Sequence, residues 1–186
     1  RLFFTVYRNS AYYIEEMGLE ANTLDHSSTF TLGSPGTVFT GLSNYASKTV
    51  KVRSGNFYMG EFAVTSGGQL TLSTGFDTSE ITVGYDYEVS VETMPVETVL
   101  PSGSLQGKPK RVSKVVLGLN SALSTTVSGT TLQLRQVTDD LSIAPSVVTG
   151  KKDFYLLGYS KDATVTITQA DPLPVRITGL VMEYQV

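Results

Sequence analysis

Polar and apolar residues alternate with a period of two over much of this chain, and that alternation constrains the fold more than any other feature. Residues 48–53 and 130–137 both follow it, and turn-forming Gly, Ser, Asn and Pro residues bound most of the alternating runs. Such short runs are typical of half-buried strands joined by turns. Long helical periodicity is absent from the sequence. The chain is therefore predicted to be all-β.

The composition excludes several kinds of site. Among its 186 residues the chain has no cysteine and one histidine, His26. A disulfide framework, a thiolate zinc site, a cysteine nucleophile and a zinc site with two histidines are therefore ruled out. The formal net charge of −3 argues against a dedicated nucleic-acid binder, which usually carries a basic patch. We expect no cofactor and no small-molecule substrate.

The N-terminal residues predict that the chain is a piece of a longer protein. It opens with Arg1 rather than methionine, and the apolar run at residues 2–4 is too short for the core of a signal peptide. The sequence has no run of about 18 apolar residues, so it contains no candidate transmembrane helix.

One short run, Asp25-His26-Ser27, contains the residue types of a catalytic triad. A triad is defined by its geometry in space, and adjacent side chains on an extended segment point in opposite directions. Asp and Ser near turns also bond to nearby backbone groups, which is their more common role. We therefore interpret His26 as a structural loop residue.

The acidic pairs Glu15-Glu16 and Asp139-Asp140 raise the question of glycosidase chemistry. That chemistry needs two carboxyl groups that face each other across the substrate, whereas adjacent residues on a strand point to opposite sides. Further acidic residues between positions 77 and 92 leave a glycosidase open as a minor alternative. No arrangement of residues is specific for catalysis, and the chain is predicted not to be an enzyme.

Two groups of residues are candidates for a protein interface. The basic run at residues 108–111 is either a charged strand edge that blocks incorrect pairing or a contact for an acidic partner. Two tyrosines lie on a predicted strand, and tyrosine is enriched both in strands and in interfaces. The candidate interface residues are Lys108, Lys110, Arg111, Tyr85 and Tyr87.

Several short motifs follow one another in the order of a known family. They are Tyr13-Ile14-Glu15 after a hydrophobic strand, Thr40-Gly41-Leu42 before a short strand, Val83-Gly84-Tyr85, Gly107-Lys108-Pro109, and Pro172-Leu173-Pro174 before the last strand. In this order and spacing the chain resembles the C-terminal part of the tail nozzle proteins of short-tailed phages, a family also called tail tubular protein B. The Pro-Leu-Pro element is the most distinctive of the motifs.

The chain departs from the family pattern at two turns. Asn44-Tyr45 stands where family members often have His-Leu, and Ser54-Gly55 stands where they often have Asp-Gly. Both replacements preserve turn chemistry, so the implied fold is unaffected.

Together with the strand pattern, the resemblance implies a small β-barrel-like region followed by an antiparallel β-sandwich-like region. The first is placed at residues 37–95 and the second at residues 96–186, because Pro and Gly become frequent between Met94 and Pro109. Residues 1–36 are expected to form an N-terminal hairpin and a long connection that pack with the C-terminal layer.

The resemblance also implies a structural function in the virion. It places the chain in a hexameric nozzle ring at the distal end of a phage tail, bound to the tail adaptor, with tail fibres as further partners. The lumen of the ring would conduct the genome into the host, and DNA would pass through it without specific binding. The alternative is a carbohydrate- or receptor-binding β-domain of a phage fibre or cell-surface protein. Tyrosine-rich strands suit stacking against sugars, although the chain lacks tryptophan.

Overall fold

The computed structural model describes residues 1–18, 23–97, 99–100 and 103–185, and for residues 99–100 it describes the backbone alone. These ranges contain seventeen β-strands and one short 3₁₀ helix, which confirms the predicted all-β fold. The described sheets are open and none closes into a barrel, so the expected β-barrel-like region at residues 37–95 is instead built from open antiparallel sheets. The chain divides into two compact units, Arg1–Tyr87 and Glu88–Val186. The predicted boundaries at residues 36 and 95 stay a prediction.

The first unit contains three antiparallel sheets. The main sheet has the strand order β3-β8-β5-β6, the hairpin of β1 and β2 forms a second sheet, and β4 pairs with β7. A 3₁₀ helix, Ser43–Tyr45, lies between β4 and β5. The strands are β1 Phe3–Arg8, β2 Ala11–Glu16, β3 Asp25–Gly36, β4 Val38–Phe39, β5 Thr49–Ser54, β6 Phe57–Ala63, β7 Leu70–Thr71 and β8 Thr78–Tyr85.

The core of the first unit forms on one face of the main sheet. Val50 and Val52 of β5 are buried there, as are Ile81 and Val83 of β8, and each pair is two residues apart as the alternation predicts. The 3₁₀ helix and the neighbouring loops and strands complete the core with Phe39, Leu42, Tyr45, Val64, Leu70 and Leu72.

Strand β3 departs from the sequence prediction. The sequence predicts a long connection between residues 18 and 36, but residues 25–36 form a strand, and residues 19–22 lie outside the described part of the chain. The pairing of β3 with β8 shifts register twice, between Asp25 and Ser28 and between Thr31 and Gly36. Each shift interrupts the period of two that identifies a strand in sequence. The prediction of a connection is therefore wrong for β3.

The second unit contains a three-stranded sheet of order β15-β12-β17, a four-stranded sheet of order β14-β13-β16-β9, and the short pair β10-β11. The long strand β12 is central in the first of these sheets. The strands are β9 Val89–Glu92, β10 Val99–Leu100, β11 Gly103–Ser104, β12 Arg111–Ala122, β13 Thr126–Val127, β14 Thr130–Thr131, β15 Val148–Tyr155, β16 Thr166–Gln169 and β17 Ile177–Gln185.

One apolar core joins the two larger sheets of the second unit. Leu117 and Leu119 of β12 belong to the same buried cluster as Val127 of β13 and Ile167 of β16. Two antiparallel sheets that share a core in this way form a sandwich-like arrangement. This agrees with the antiparallel β-sandwich-like region expected for the C-terminal part of the chain.

Candidate functional site

A bulge at the start of β3 determines where His26 points. Asp25 pairs with Tyr85 and Ser28 pairs with Val83, so three steps along β3 face two steps along β8. His26 lies in the bulge with a φ of 51°, in the left-handed region that side chains other than glycine rarely adopt. Bulges of this kind redirect a side chain and often lie beside functional sites.

Gly84 of β8 makes room for the bulge. A Cβ atom at this position would lie 2.7 Å from Cβ of Leu24 and 2.8 Å from the backbone oxygen of Asp25. Both neighbours are close to or part of the β3 backbone and cannot move aside cheaply. The close approach of β8 to the bulge therefore requires glycine.

The N-terminal hairpin supplies the partners of His26. Oε1 of Glu15 in β2 lies 2.6 Å from the His26 Nδ1 atom. Nη1 of Arg8 in β1 donates to Asp25 Oδ2 at 2.7 Å, and its Nε lies 3.5 Å from Glu15 Oε1. Asn9 donates to the Tyr85 hydroxyl at 3.0 Å. The hairpin therefore turns charged and polar side chains toward the rest of the first unit.

Three tyrosine rings surround the His26 imidazole. The ring centroids of Tyr13, Tyr45 and Tyr85 lie 5.0, 5.2 and 5.8 Å away, and the Tyr85 ring is stacked at an interplanar angle of 12°. Only 9% of the His26 side chain is exposed. We refer to Arg8, Glu15, Asp25, His26, Tyr45 and Tyr85 together as the polar centre.

The polar centre orients a histidine against a carboxylate, as catalytic triads do, and Glu15, Asp25 and His26 line a groove of about 890 Å³, but the groups within it are engaged with one another. The imidazole is almost entirely covered, and the Oγ atom of Ser28 lies 3.1 Å from the hydroxyl of Tyr45 rather than serving as a free nucleophile. The ion pairs and hydrogen bonds of the polar centre attach the hairpin to β3 and β8.

Arg8 is the main link in this attachment. The hydrogen bond to Asp25 raises the pKa of the guanidinium, which therefore stays charged. We expect Arg8→Met, which keeps the aliphatic stem, to weaken the attachment by about 1–2 kcal/mol, so that amide hydrogen exchange in β1 and β2 becomes roughly tenfold faster. Arg1→Met is the matched control, because the Arg1–Glu16 pair is exposed and contributes little. Unchanged exchange in Arg8→Met would show that the hairpin is held by other contacts.

Tyr45 connects the polar centre to the core. Its ring is fully buried, and its hydroxyl donates to the backbone oxygen of His26. Burial raises the pKa of the hydroxyl above its usual value of 10.0, and the hydrogen bond with Ser28 lowers it in part. The fold therefore favours the neutral form of this side chain.

The raised pKa predicts a loss of stability in alkali. Tyr45 stabilises the folded state fully below the unfolded-state pKa of about 10, and this contribution is lost as the pH rises through the higher folded-state pKa. We expect the free energy of unfolding, measured in urea over a series of pH values, to fall less steeply above about pH 10 in Tyr45→Phe than in the wild type. Parallel curves for the two proteins would contradict the assignment.

The structure separates the candidate interface residues. Tyr85 belongs to the polar centre, and Tyr87 follows β8 with 46% of its surface exposed. In the second unit Lys108 is exposed, whereas Lys110 is only 1% exposed and its Nζ donates to the backbone oxygen of Val96 at 2.7 Å. Arg111 begins β12, is half-buried and pairs with Gln185. The basic run is therefore not one continuous exposed patch.

The sequence did not predict that Glu15 and Arg8 of the hairpin lie beside His26. Glu15 and Arg8 are distant from His26 in sequence, and only the fold brings the hairpin against β3. Arg8 and Glu15 lie on the same face of the hairpin, but a period of two carries no information about which element such a face meets.

No group of three or more His, Cys, Asp or Glu side chains within the described ranges is arranged to hold a metal ion. Asp86, from the acidic region that left a glycosidase open, lies with its Oδ1 2.7 Å from Nζ of Lys51. Within the same ranges, no helix has the length and hydropathy needed to cross a bilayer.

The outward face of the hairpin exposes large apolar side chains, with Glu16 at its end. The exposed fraction of the residue surface is 56% for Phe3, 62% for Tyr7, 77% for Tyr12 and 80% for Ile14. Tyr7 pairs with Tyr12 across the hairpin, and their ring centroids lie 4.9 Å apart. The inner face of the hairpin carries Val6 and Tyr13 together with Arg8 and Glu15, and the outward face leaves its large apolar side chains in solvent.

These features define an all-β protein of two compact units, with a polar centre in the first unit and large apolar side chains exposed on its hairpin. Neither a protein-family model nor a curated protein sequence matches the chain.

Proposed function

We propose that this chain is a structural, non-enzymatic part of the nozzle ring at the end of a short phage tail. The ring is a hexamer, attaches to the tail adaptor, has tail fibres as further partners and forms part of the conduit for the genome. The order of motifs along the sequence supports the family, and the outward face of the hairpin supports an assembled state.

The observation that carries the proposal is the exposed apolar face of the hairpin. Monomeric proteins rarely leave large apolar side chains grouped on one surface, and such groups usually mark an interface with another protein. Here the chain itself holds this face outward, because Arg8 and Glu15 are bonded on the inner face. The hairpin is therefore built to present its aromatic side chains to a partner.

A ring also explains why the exposed surfaces of the two units differ. In a ring each subunit uses one surface toward the next copy and a different surface toward the previous one. The hairpin of the first unit is one exposed apolar surface, and the outer face of the β15-β12-β17 sheet, where Val181 is 61% exposed, is another.

The conduit needs a wall that does not retain DNA. Each phosphate neutralised by a basic side chain strengthens binding, so a neutral or acidic lumen lets DNA slide. The net charge of −3 is compatible with this requirement.

Ring formation and adaptor binding test the proposal. The full-length subunit should form closed rings in negative-stain electron microscopy and should retain the purified tail adaptor on an affinity column. A subunit that stays monomeric over the whole accessible concentration range and does not retain the adaptor would overturn the proposal.

A carbohydrate-binding β-domain is the second candidate, and one groove of the first unit favours it. The groove has a volume of about 890 Å³, and its walls include Phe4, Tyr87 and Asn44. Aromatic faces beside amide groups are suited to sugars. Saturable and specific binding on a glycan array, abolished by Tyr87→Ala, would favour this function over the nozzle.

A further inference from the structure

A trough crosses the outer face of the three-stranded sheet in the second unit. Its volume is about 690 Å³, and its floor contains Gly118 of β12 and Gly179 of β17, which pair directly. Val116 and Val181 pair beside them and form an apolar wall, and Lys151, which pairs with Gly118 from β15, lies at the other side. Among the described residues that line the trough, Lys151 alone carries a charge.

A close contact within the chain requires glycine at position 118. A Cβ atom there would lie 2.6 Å from Oγ1 of Thr178. Thr178 is the extra residue of a bulge in β17, because Gly118 pairs with Gly179 and the next residue, Leu119, pairs with Ile177. The hydroxyl of Thr178 therefore occupies the space above Gly118.

Neither a close contact with the described residues nor the backbone conformation requires glycine at position 179. Its φ is not in the left-handed region, and a Cβ atom at this position would meet no atom within 4 Å. Glycine in the interior of a strand weakens it and often marks a place where another molecule approaches the backbone closely. The open space above Gly179 is therefore suited to a flat group from outside the chain.

The outward face of the N-terminal hairpin has the complementary properties. Tyr12 is its most exposed aromatic residue, and Glu16 is the charged residue on the same face of β2, four positions further along. The Glu16 side chain is 42% exposed and makes a solvent-accessible pair with Arg1, which is weak and can be exchanged. The hairpin thus offers apolar groups with one negative charge, and the trough offers apolar groups with one positive charge.

The spacings of the two surfaces also agree. Tyr12 and Glu16 are four residues apart on one strand, which is about 13 Å. Gly179 and Lys151 are separated by two strand spacings, which is about 10 Å. The long side chains of Glu16 and Lys151 span the difference, so the two spacings allow an aromatic contact and an ion pair at the same time.

We infer that the hairpin of one copy of this chain docks in the trough of the next copy, with the Tyr12 ring over Gly179 and Glu16 beside Lys151. The inference rests on the proposed ring and names its subunit contact. Because the two surfaces differ and belong to different units, the contact is of the head-to-tail kind from which rings are built.

Disulfide trapping tests the contact directly, because the chain has no cysteine of its own. Tyr12→Cys and Gly179→Cys are made as separate single variants, and mixed rings of the two variants are oxidised mildly. The mixture should give a covalent dimer at several times the yield of either variant alone. Gly33→Cys is the control partner for Tyr12→Cys, because Gly33 also lies in a strand with no atom within 4 Å of its Cβ position.

Filling the trough provides a second readout. Gly179→Leu should abolish ring formation while the melting temperature stays within a few degrees of the wild type, and Gly33→Leu should leave rings intact. Intact rings in Gly179→Leu, or no mixed disulfide in wild-type-like rings, would overturn this contact and leave the nozzle proposal standing. A double variant that forms only a disulfide within one chain would overturn it as well. Failure of the wild type to form rings would overturn both.

Discussion

Tyr45→Ala is expected to lower the free energy of unfolding of the first unit by about 3–5 kcal/mol, the cost of removing a large aromatic side chain from a core. The Tyr45 ring is fully buried and lies with its centroid 5.6 Å from that of Tyr85 and 6.4 Å from that of Phe30. The substitution leaves a cavity below the bulge and removes the donor to His26. Urea unfolding followed by circular dichroism measures the change.

Tyr45→Phe separates the hydroxyl from the ring. It keeps the packed ring and leaves the backbone oxygen of His26 without this donor, which costs about 1–3 kcal/mol. We expect the alanine variant to be clearly less stable than the phenylalanine variant. Equal losses in the two variants would mean that the hydroxyl, and not the burial of the ring, determines the contribution of Tyr45.

Gly84→Val is expected to cost about 1–3 kcal/mol and to displace the bulge at His26. Its Cβ would approach Leu24 and the Asp25 backbone within 2.8 Å, so β3 must move away from β8. We expect this movement to break the contact between His26 and Glu15. Hydrogen exchange in the hairpin should therefore increase together with the loss of stability.

Gly33→Val is the control for this substitution, because nothing lies within 4 Å of its Cβ position in the same strand, β3. Surface substitutions of this kind usually change stability by less than about 0.5 kcal/mol. A Gly84→Val protein with wild-type stability and wild-type hairpin exchange would show that the bulge does not depend on the close approach of β8.

The alternating pattern was sufficient to predict the strands that have one buried face. β5 and β12 carry apolar residues at alternate positions, and the structure buries those positions. β3 could not be predicted in this way, and two register shifts interrupt its alternation. Register shifts alone do not hide a strand, because β12 was predicted although both of its pairings also shift. β3 differs in composition, since most of its residues are Ser, Thr or Gly and few apolar side chains mark a buried face.

The polar centre depends on contacts that no local pattern contains. His26 was interpreted as a loop residue, but it lies in a strand bulge, and its orientation follows from Gly84 on another strand and Glu15 on the hairpin. Lys110 is a second residue whose surroundings the local sequence did not predict. Its place in a basic run predicted exposure, whereas the fold buries it and pairs its ammonium group with a backbone oxygen.

In the proposed nozzle ring, the polar centre positions the hairpin that the trough of the next copy receives. Arg8 and Glu15 fix the hairpin from the inside, so its aromatic face is already in place before a second copy arrives. An interface whose parts are held in position in the free subunit loses less entropy on association. We therefore expect Arg8→Met to weaken ring assembly although Arg8 lies on the inner face of the hairpin.

The position of the chain in the virion tests the central proposal most directly. Antibody fragments raised against this chain can be bound to intact virions and located by electron microscopy. The nozzle proposal predicts a label at the distal end of a short tail, with six-fold symmetry in averaged images. A label on fibres, or virions that carry none of this chain, would contradict it.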